Sequence, residues 1–532
     1  MRLEHGISRR SFVRLVGFTA IGGAGATLLA ACGGGGSSTT APAATTGAAA
    51  APTTAVAKPA ATTAAAAAAP TTAPTVAAAA AAKPTVAPTT AAAAAPTAAS
   101  AAKPAAAANF DWQRNKGKTV RMILNKHPFT ESLIPLLPEF EQLTGIQTSN
   151  LILPEAEYFQ KILVDLSTGA GEYDVFMTGP YAHWAYDKSG WTEPLENYVQ
   201  DSNQTAPDYD VADIFPALMD ANKWDLSLGG GVGKGHQWAI PVMVETYVQV
   251  YRKDIYDQAG LKPASTIEEW RDNNKKATSG DTRGIVVRGS RGGGMTGTGF
   301  ISAFRGYGGR VFDDNLVCQV NSPEGIHVAE QYCASVKESG PVGWTNVTWY
   351  EGQEGYASGQ YAQYFDCDFF TALYEDPEKS KVAGKNALAA PPHAPDKQPF
   401  SSMWTWALGM SARAQDKPAS WFFIQWATAK QQMQRATLTG GNYNPTRKSV
   451  FDNAEVQGKM KSWANGTYLP GVLDNLSKYA TLGWPPEPEQ TFVGTRWDQA
   501  LQEIWSGNDA KGALDAAKDD IDAHMKDVGL LK

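Results

Sequence analysis

The 532-residue sequence has few cysteines and, after residue 31, no long apolar run. Its four cysteines form no C-x-x-C pair and its seven histidines are scattered, so close-spaced zinc ligands are missing and we predict neither a metal nor a cofactor. No later segment reaches the roughly 20 apolar residues that a membrane-spanning helix needs. The formal net charge of −7 disfavours nucleic acid as a partner, because proteins that bind nucleic acid present a basic surface.

Residues 33–108 lack large side chains almost completely and consist mainly of Ala, Thr, Pro and Gly. Their only charges are three lysines, Lys58, Lys83 and Lys103, and each is followed directly by proline. Repeated prolines interrupt every alanine run, since proline removes a backbone donor and clashes with the preceding helical turn. We therefore predict that residues 32–108 are a disordered tether without a core of its own.

The first 31 residues combine basic side chains with a short run rich in Gly and Ala. Arg9 and Arg10 stand in "SRRSFV", which fits a twin-arginine export signal, and "LAAC" resembles a lipobox ending at Cys32. We predict that residues 1–31 are a signal, that Cys32 is lipidated, and that the protein is extracytoplasmic and anchored to the cell membrane. An uncleaved N-terminal anchor is the alternative.

From residue 117 onward, strand and helix patterns alternate. "GKTVRMILN" predicts a strand over 117–125, followed by a helix that ends at Gly145 and a strand that runs to Leu153. A helix to Leu166 and a strand over Tyr173–Thr178 repeat the alternation. This order favours an α/β fold with parallel strands.

Several segments resemble one family in order and spacing. "EFEQLTGIQ", "EYDVFMTGPYAHWAYDKSGWTEPLENY", "WAIPVMVETYVQVYRKDIYDQAGLKPASTIEEW" and "TGGNYNPTRKSVF" are similar to extracellular solute-binding proteins of the carbohydrate class, which serve ATP-binding-cassette (ABC) importers. The resemblance implies a periplasmic-binding-protein-like fold of type II, with two α/β lobes joined by hinge crossings. Lobe 1 would comprise 117–243 and 408–455, and lobe 2 would comprise 244–407 and 456–532.

The same resemblance implies a monomer that is not an enzyme. It would capture a sugar, oligosaccharide or polyol by lobe closure and deliver it to the permease of an ABC importer. Aromatic rings cover the C–H faces of a sugar, while carboxylates, amides and arginine satisfy its hydroxyls. On these grounds the predicted ligand contacts are His127, Phe129, Tyr181, Trp184, Glu245, Tyr247, Arg291, Met295, Trp349, Tyr350, Asp366, Asp368, Trp404, Trp406, Asn442 and Arg447.

Other interpretations stay open at this point. The same fold could bind a non-sugar solute such as a polyamine or a glycerol phosphate, and Asp366 with Asp368 could be the carboxylate pair of a tethered glycoside hydrolase. The segment "GGGVGKGH" lacks the spacing of a phosphate-binding P-loop and predicts a surface hairpin. In an oxidising compartment, Cys318 and Cys333 are the preferred disulfide pair, which leaves Cys367 free.

Overall fold

The computed structural model describes residues 109–292 and 294–532. The predicted signal, the predicted tether and the lipidation of Cys32 lie outside these residues. Within them, no helix is both long and apolar enough to cross a membrane.

One eight-stranded sheet organises the described chain. Its strands are β1 (Thr119–Asn125), β2 (Gln147–Leu153), β3 (Val175–Thr178), β6 (Ala239–Arg252), β7 (Gln363–Cys367), β8 (Asn386–Ala389), β9 (Ser401–Met410) and β10 (Ala480–Thr481). The order is β2-β1-β3-β9-β6-β7, with β8 on β6 and β10 on β9. A separate hairpin pairs β4 (Lys223–Trp224) with β5 (His236–Gln237).

Nineteen α-helices flank the sheet within the described residues. They are α1 (Pro128–Leu133), α2 (Leu137–Thr144), α3 (Glu155–Thr168), α4 (Pro180–Lys188), α5 (Glu196–Gln200), α6 (Pro216–Ala221), α7 (Lys253–Gln258), α8 (Ile267–Ala277), α9 (Gly299–Gly306), α10 (Pro323–Ser339), α11 (Trp349–Ala357), α12 (Thr371–Tyr374), α13 (Lys417–Ala427), α14 (Lys430–Thr439), α15 (Lys448–Phe451), α16 (Ala454–Met460), α17 (Tyr468–Asp474), α18 (Gln490–Ser506) and α19 (Ala510–Asp527).

The predicted alternation of strands and helices is confirmed, with one difference. β1 pairs in parallel with both β2 and β3, as the pattern of strand, helix and strand predicts. The helix predicted before Gly145 is divided into α1, a 3₁₀ turn at Ile134–Leu136, and α2. Pro135 and Pro138 explain the division, because proline fits the first turn of a helix but not its interior.

Strand β6 belongs to two parts of the sheet. Its first half, through Thr246, pairs antiparallel with β9, and its second half, from Tyr247, pairs with β7 and β8. β9 in turn pairs with β3, so the crossing of β6 and β9 connects the β1–β3 region to the β7–β8 region. Side chains on this crossing therefore face the junction of the two regions.

The predicted disulfide between Cys318 and Cys333 is wrong in this structure, where the three described cysteines are free and buried. Cys333 faces α18 instead, and its Sγ donates to the carbonyl oxygen of Leu501 at 3.3 Å. Burial raises the pKa of the Cys318 thiol to about 12, so it stays protonated at neutral pH.

Candidate functional site

The carboxyl ends of β1, β2 and β3 lie side by side and border the β6–β9 crossing. Asn125 ends β1, Glu155 begins α3 just after β2, and Tyr181 lies in the first turn of α4 just after β3. Ligands of α/β sheets bind at this edge, because the loops leaving parallel strands converge there. The edge and the crossing together define the candidate cleft.

Aromatic rings form one wall of the cleft around Trp406 of β9. The ring centroid of His127 lies 5.3 Å from that of Trp406, and Phe159 stacks on Trp406 at 5.9 Å. Phe369, which follows β7, stacks on His127 at 6.3 Å, so side chains from both parts of the sheet meet here. Such faces suit the C–H groups of a carbohydrate or polyol.

The histidine in this wall is a neutral hydrogen-bond donor. Burial lowers the pKa of His127 to about 3, so the ring carries no charge at neutral pH. Its Nδ1 accepts from the backbone N–H of Phe129 at 3.2 Å, which caps α1 and assigns the proton to Nε2. The ring therefore offers an N–H at Nε2.

Charged side chains lie next to the aromatic wall. Arg288 Nε and Nη2 donate to Asp366 Oδ2 and Oδ1 at 2.8 and 2.7 Å, a bidentate pair that lies over the ring of Tyr247. Trp406 Nε1 donates to Glu245 Oε1 at 3.2 Å. Glu155 is close enough to Arg288 and Glu245 to interact with both electrostatically.

The carboxylates of the cleft outnumber its guanidinium. Burial raises the pKa of Glu245 to about 8, with Glu155 and Asp366 adding to the rise and Arg288 opposing it. Burial also raises the pKa of Glu155, which Arg288 and a hydrogen bond with Asn125 oppose. The cleft thus holds strong acceptors, one cation and at least one carboxyl that is mostly protonated at neutral pH, a mixture that suits hydroxyl groups.

A second group of aromatic rings extends the floor of the cleft along β9. The Trp404 and Trp406 centroids are 5.4 Å apart, and Tyr181 packs on Trp404 at 5.6 Å and on Trp484 at 6.3 Å. Gly179 makes this packing possible, because a Cβ there would lie 2.0 Å from the Trp404 ring. Trp404 Nε1 is buried without a hydrogen-bond partner among the described residues.

The structure brings about half of the predicted contacts to the cleft. This group comprises His127, Tyr181, Glu245, Tyr247, Asp366, Trp404 and Trp406, with Tyr350 at its edge. Tyr350 is 47% exposed and stacks on Trp349, and partial burial together with the nearby Glu155 carboxylate raises the pKa of its hydroxyl. Trp349 is half-buried between Tyr350 and Phe370 and supports that edge.

Four predicted contacts lie elsewhere for reasons of packing or exposure. Phe129, Trp184 and Met295 are buried in the hydrophobic core. Arg291 is exposed and donates through Nε to Gln502 Oε1 at 2.7 Å.

The remaining three predicted contacts are polar groups engaged by other protein atoms. Asp368 accepts from the backbone N–H and the hydroxyl of Thr246 at 3.1 and 2.6 Å and from Asn444 Nδ2 at 2.9 Å. Asn442 Nδ2 donates to the carbonyl oxygen of Val242 at 3.1 Å. Arg447 is fully buried and donates to the carbonyl oxygens of Thr428 and Asp210. Their bonds hold neighbouring segments together.

Sequence reasoning missed five residues of the cleft: Asn125, Glu155, Phe159, Arg288 and Phe369. The rule that pointed to Tyr181, a position at the end of a strand, applies equally to Asn125 and Glu155. No comparable signal marks Arg288, which pairs with Asp366 across 78 residues of sequence. Among the described residues, no group of three or more His, Cys, Asp or Glu side chains is arranged to hold a metal ion.

Comparison with known proteins agrees with this geometry. The family model described as bacterial extracellular solute-binding protein matches residues 126–434. The chain belongs to this family. It is 32% identical over 411 residues to the erythritol/L-threitol-binding protein of Mycolicibacterium smegmatis, covering 76% of this chain and 85% of that protein.

Two further relatives extend the comparison of this family member. The mannitol-binding protein of Pseudomonas aeruginosa is 27% identical over 403 residues, covering 72% of this chain and 87% of that protein. The crystal structure of an ABC transporter solute-binding protein from Agrobacterium radiobacter in complex with ribitol superposes with a TM-score of 0.67. It shares 24% identity and covers 76% of this chain and 98% of that one, which establishes the periplasmic solute-binding fold.

Proposed function

We propose that this protein binds a short acyclic polyol in the cleft and delivers it to an ABC importer. The observation that carries the proposal is the contact between the aromatic wall at Trp406 and the charged group of Glu245, Arg288 and Asp366. Polyol hydroxyls donate to carboxylates and accept from a guanidinium or from the Nε2–H of His127, while the carbon chain lies against the rings. The relatives named for erythritol, threitol and mannitol support this ligand class.

Burial favours a small ligand over an oligosaccharide. Trp406 is 4% exposed and His127 is 8% exposed, and the rings of His127 and Phe159 both pack against Trp406. A long sugar chain would have to separate more of these contacts than a molecule between erythritol and mannitol in size. A polyol is uncharged and needs no further counter-charge in the cleft, whereas each buried ammonium group of a polyamine would need a carboxylate partner.

The two-lobe division predicted from sequence belongs to the same proposal. Lobe 1 (117–243 and 408–455) and lobe 2 (244–407 and 456–532) meet at the β6–β9 crossing, and cleft residues come from both. A ligand that contacts both lobes favours their closure by its differential affinity for the closed form. We further propose export by the twin-arginine signal, lipidation at Cys32, a tether over 32–108, attachment to the cell membrane, and a monomer that presents its closed form to the permease.

A hydrolase is the less favoured alternative. The predicted acid pair does not face one ligand, because Asp366 pairs with Arg288 while Asp368 is held by Thr246 and Asn444. A two-carboxylate glycosidase needs one carboxyl as acid and another free as base or nucleophile on opposite sides of the scissile bond. Binding without turnover is therefore the activity that we propose.

Thermal unfolding of the full chain against a ligand panel tests the proposal. The panel contains erythritol, L-threitol, ribitol, mannitol, maltose, putrescine and glycerol phosphate. A bound polyol should stabilise the folded form by about 2.7 kcal/mol at a hundredfold excess over Kd. Glu245→Ala should remove this stabilisation by the polyol, and Arg291→Ala at the exposed surface should retain it. Stabilisation by maltose or putrescine alone, or by no compound, would contradict the proposed ligand class.

A further inference from the structure

A buried polar network adjoins the aromatic wall of the cleft. It consists of Asp368, Thr246, Asn444, Tyr468 and Asn475, and each of these residues is at most 3% exposed. Asp368 begins the 3₁₀ turn that follows β7, and its neighbour in sequence, Phe369, stacks on His127 of the wall. Because the network is buried, water does not readily replace a hydrogen bond that is lost within it.

The carboxylate of Asp368 is the acceptor at the centre of this network. Thr246 donates its backbone N–H to Oδ1 at 3.1 Å and its hydroxyl to Oδ2 at 2.6 Å, and Asn444 Nδ2 donates to Oδ1 at 2.9 Å. The Cys367 thiol makes a longer contact with Oδ1 at 3.8 Å. Burial raises the pKa of Asp368 to about 6 against the opposing effect of these hydrogen bonds, so the carboxylate is ionised at neutral pH. An ionised carboxylate only accepts, which suits a position where these neighbours all donate.

The partners of Asp368 belong to separate segments that meet at the β6 crossing. Thr246 is the last β6 residue that pairs with β9, and the next residue, Tyr247, is the first that pairs with β7. Asn444 lies in a segment that runs along the first half of β6, where Val244 donates its backbone N–H to the carbonyl oxygen of Asn444 at 3.3 Å. Asp368 therefore joins the β7–β8 region to the point where β6 changes partners and to a segment held on the β1–β3 side.

Two further donors orient the partners of Asp368. The Tyr468 hydroxyl, at the start of α17, donates to Asn444 Oδ1, so that Asn444 Nδ2 faces Asp368. Asn475, in the π-helical turn after α17, donates through Nδ2 to Thr246 Oγ1 at 3.0 Å, so that the hydroxyl hydrogen of Thr246 points to Asp368. A connected network of buried hydrogen bonds rigidifies the segments that it joins.

We propose that Asp368, without touching the ligand, is a positioning residue that holds the two lobes in the arrangement that binds the ligand. This role rests on the proposed binding of a polyol between the lobes. In the arrangement described here, cleft groups from both lobes meet, as Phe369 does with His127. The loss of one network hydrogen bond should lower the population of this arrangement, and the apparent affinity for the ligand falls by the same factor.

Matched substitutions can remove single hydrogen bonds of the network. Thr246→Val removes one donor to Asp368 with little change in shape, whereas Thr246→Ser keeps the hydroxyl and is its control. Tyr468→Phe removes the hydroxyl that orients Asn444 and provides a second test if Thr246→Val does not fold. Tyr256→Phe is the control for Tyr468→Phe, because the hydroxyl of Tyr256 is buried without a partner among the described residues.

The distance between the lobes can be measured by electron paramagnetic resonance in the full chain carrying Cys32→Ser. Spin labels on Val164→Cys of lobe 1 and Val342→Cys of lobe 2 occupy positions that are 51% and 89% exposed, and the three described native cysteines are buried. Without ligand, we expect Thr246→Val and Tyr468→Phe to shift or broaden the label distance. Calorimetry with erythritol, L-threitol, ribitol and mannitol should show affinity weakened about tenfold in both variants and unchanged in both controls.

The label distances separate a positioning role from a merely structural one. Distances in Thr246→Val and Tyr468→Phe that equal those of their controls would overturn the proposal, even with a lower free energy of unfolding, because the lobes would not have moved. Altered distances with unchanged polyol affinity would overturn it as well. If the parent chain binds none of the polyols, the proposed function fails, and the distances in the ligand-free chain still decide whether Asp368 holds the lobes.

Discussion

Two arginines, Arg447 and Arg288, place the same side chain in different surroundings, one in a structural cluster and the other in the proposed ligand cleft. Arg447 has 0% exposed side chain, donates to two backbone carbonyl oxygens and to Asp213, and lies over the Tyr209 ring. Arg288 is 15% exposed and pairs with Asp366.

The carboxylates beside the two arginines behave in opposite ways. Burial acts to raise the pKa of Asp213, but hydrogen bonds from Ser449 and the charge of Arg447 outweigh it, so that pKa lies below its ordinary value. Near Arg288, burial raises the pKa of Glu245 to about 8. The carboxylate beside Arg447 is thus held in its charged form by protein atoms, whereas Glu245 beside Arg288 is mostly protonated at neutral pH.

The largest expected effect comes from breaking the structural cluster. Arg447→Met should lower the free energy of unfolding by about 3 kcal/mol, because it leaves two carbonyl oxygens without their donor and Asp213 without the nearby cation. Urea unfolding measures the change, with Arg291→Met as the exposed control. Polyol affinity of the folded variant should be unchanged, and a loss of affinity with unchanged stability would reverse the roles that we assign to the two arginines.

Breaking the binding cluster should affect affinity first. Arg288→Gln should weaken polyol binding by roughly a hundredfold, about 2.7 kcal/mol, because Glu155, Glu245 and Asp366 lose the cation that acts on all three. Calorimetry at neutral pH measures the loss, with Arg291→Gln, three residues along the chain, as the matched control. Wild-type affinity in Arg288→Gln would show that the ligand does not use this cluster.

The pH dependence of stability sharpens the contrast between the carboxylates. A folded-state pKa of about 8 for Glu245 and for Glu487 means that the folded protein holds protons that the unfolded chain has released above its ordinary glutamate pKa. The stability from each group is therefore full below that ordinary value and is lost as the pH rises through about 8.

Between pH 6.5 and 8 each of these carboxyls should lower the free energy of unfolding by up to about 1.4 kcal/mol per pH unit. His127 acts in the opposite sense at the lower end of this window, because the unfolded imidazole is still partly protonated near pH 6.5 while the folded ring, with its pKa lowered to about 3, is neutral. Glu245→Gln should remove the contribution of one group from urea unfolding curves measured across the window. Identical slopes in variant and parent would mean that Glu245 is ionised in the folded protein.

The smallest expected effect separates the two neighbouring tryptophans of β9. Trp406→Phe should weaken polyol binding about tenfold, since it removes the Nε1 donor to Glu245 as well as stacking area. Trp404→Phe should weaken polyol binding less, because Trp404 Nε1 has no hydrogen-bond partner among the described residues. Calorimetric titration gives the Kd of both variants. Equal losses of affinity would mean that ring area alone determines affinity.

The strands of the sheet could be predicted from the sequence better than the side chains that border the cleft. Buried strands and glycine-terminated helices are local patterns, and so β1 to β3 appear close to where they were expected. The rule for strand ends selected His127 and Tyr181, which the structure places at the candidate cleft, and also Trp184, which lies in the core. Local patterns cannot show which protein atoms bind a polar side chain. Asp366 and Asp368 lie two residues apart, yet Asp366 pairs with Arg288 and Asp368 is held by Thr246 and Asn444.

Long-range partners explain the other differences. Arg447 donates to a carbonyl oxygen 237 positions away, and Cys333 faces Leu501 across 168 positions. The predicted Cys318–Cys333 bridge failed for the same reason, because spacing alone does not determine which helix a thiol faces. Arg288 went unnoticed because nothing near it in the sequence identifies Asp366 as its partner.

The paired indoles of Trp404 and Trp406 also give the cleft an optical property. Their planes are 78° apart with centroids at 5.4 Å, so their electronic transitions are close enough to couple. A molecule that lies against one ring changes the environment of both chromophores. Near-ultraviolet circular dichroism and intrinsic fluorescence should therefore report occupancy of the cleft without an attached dye, and the chain can serve as its own sensor.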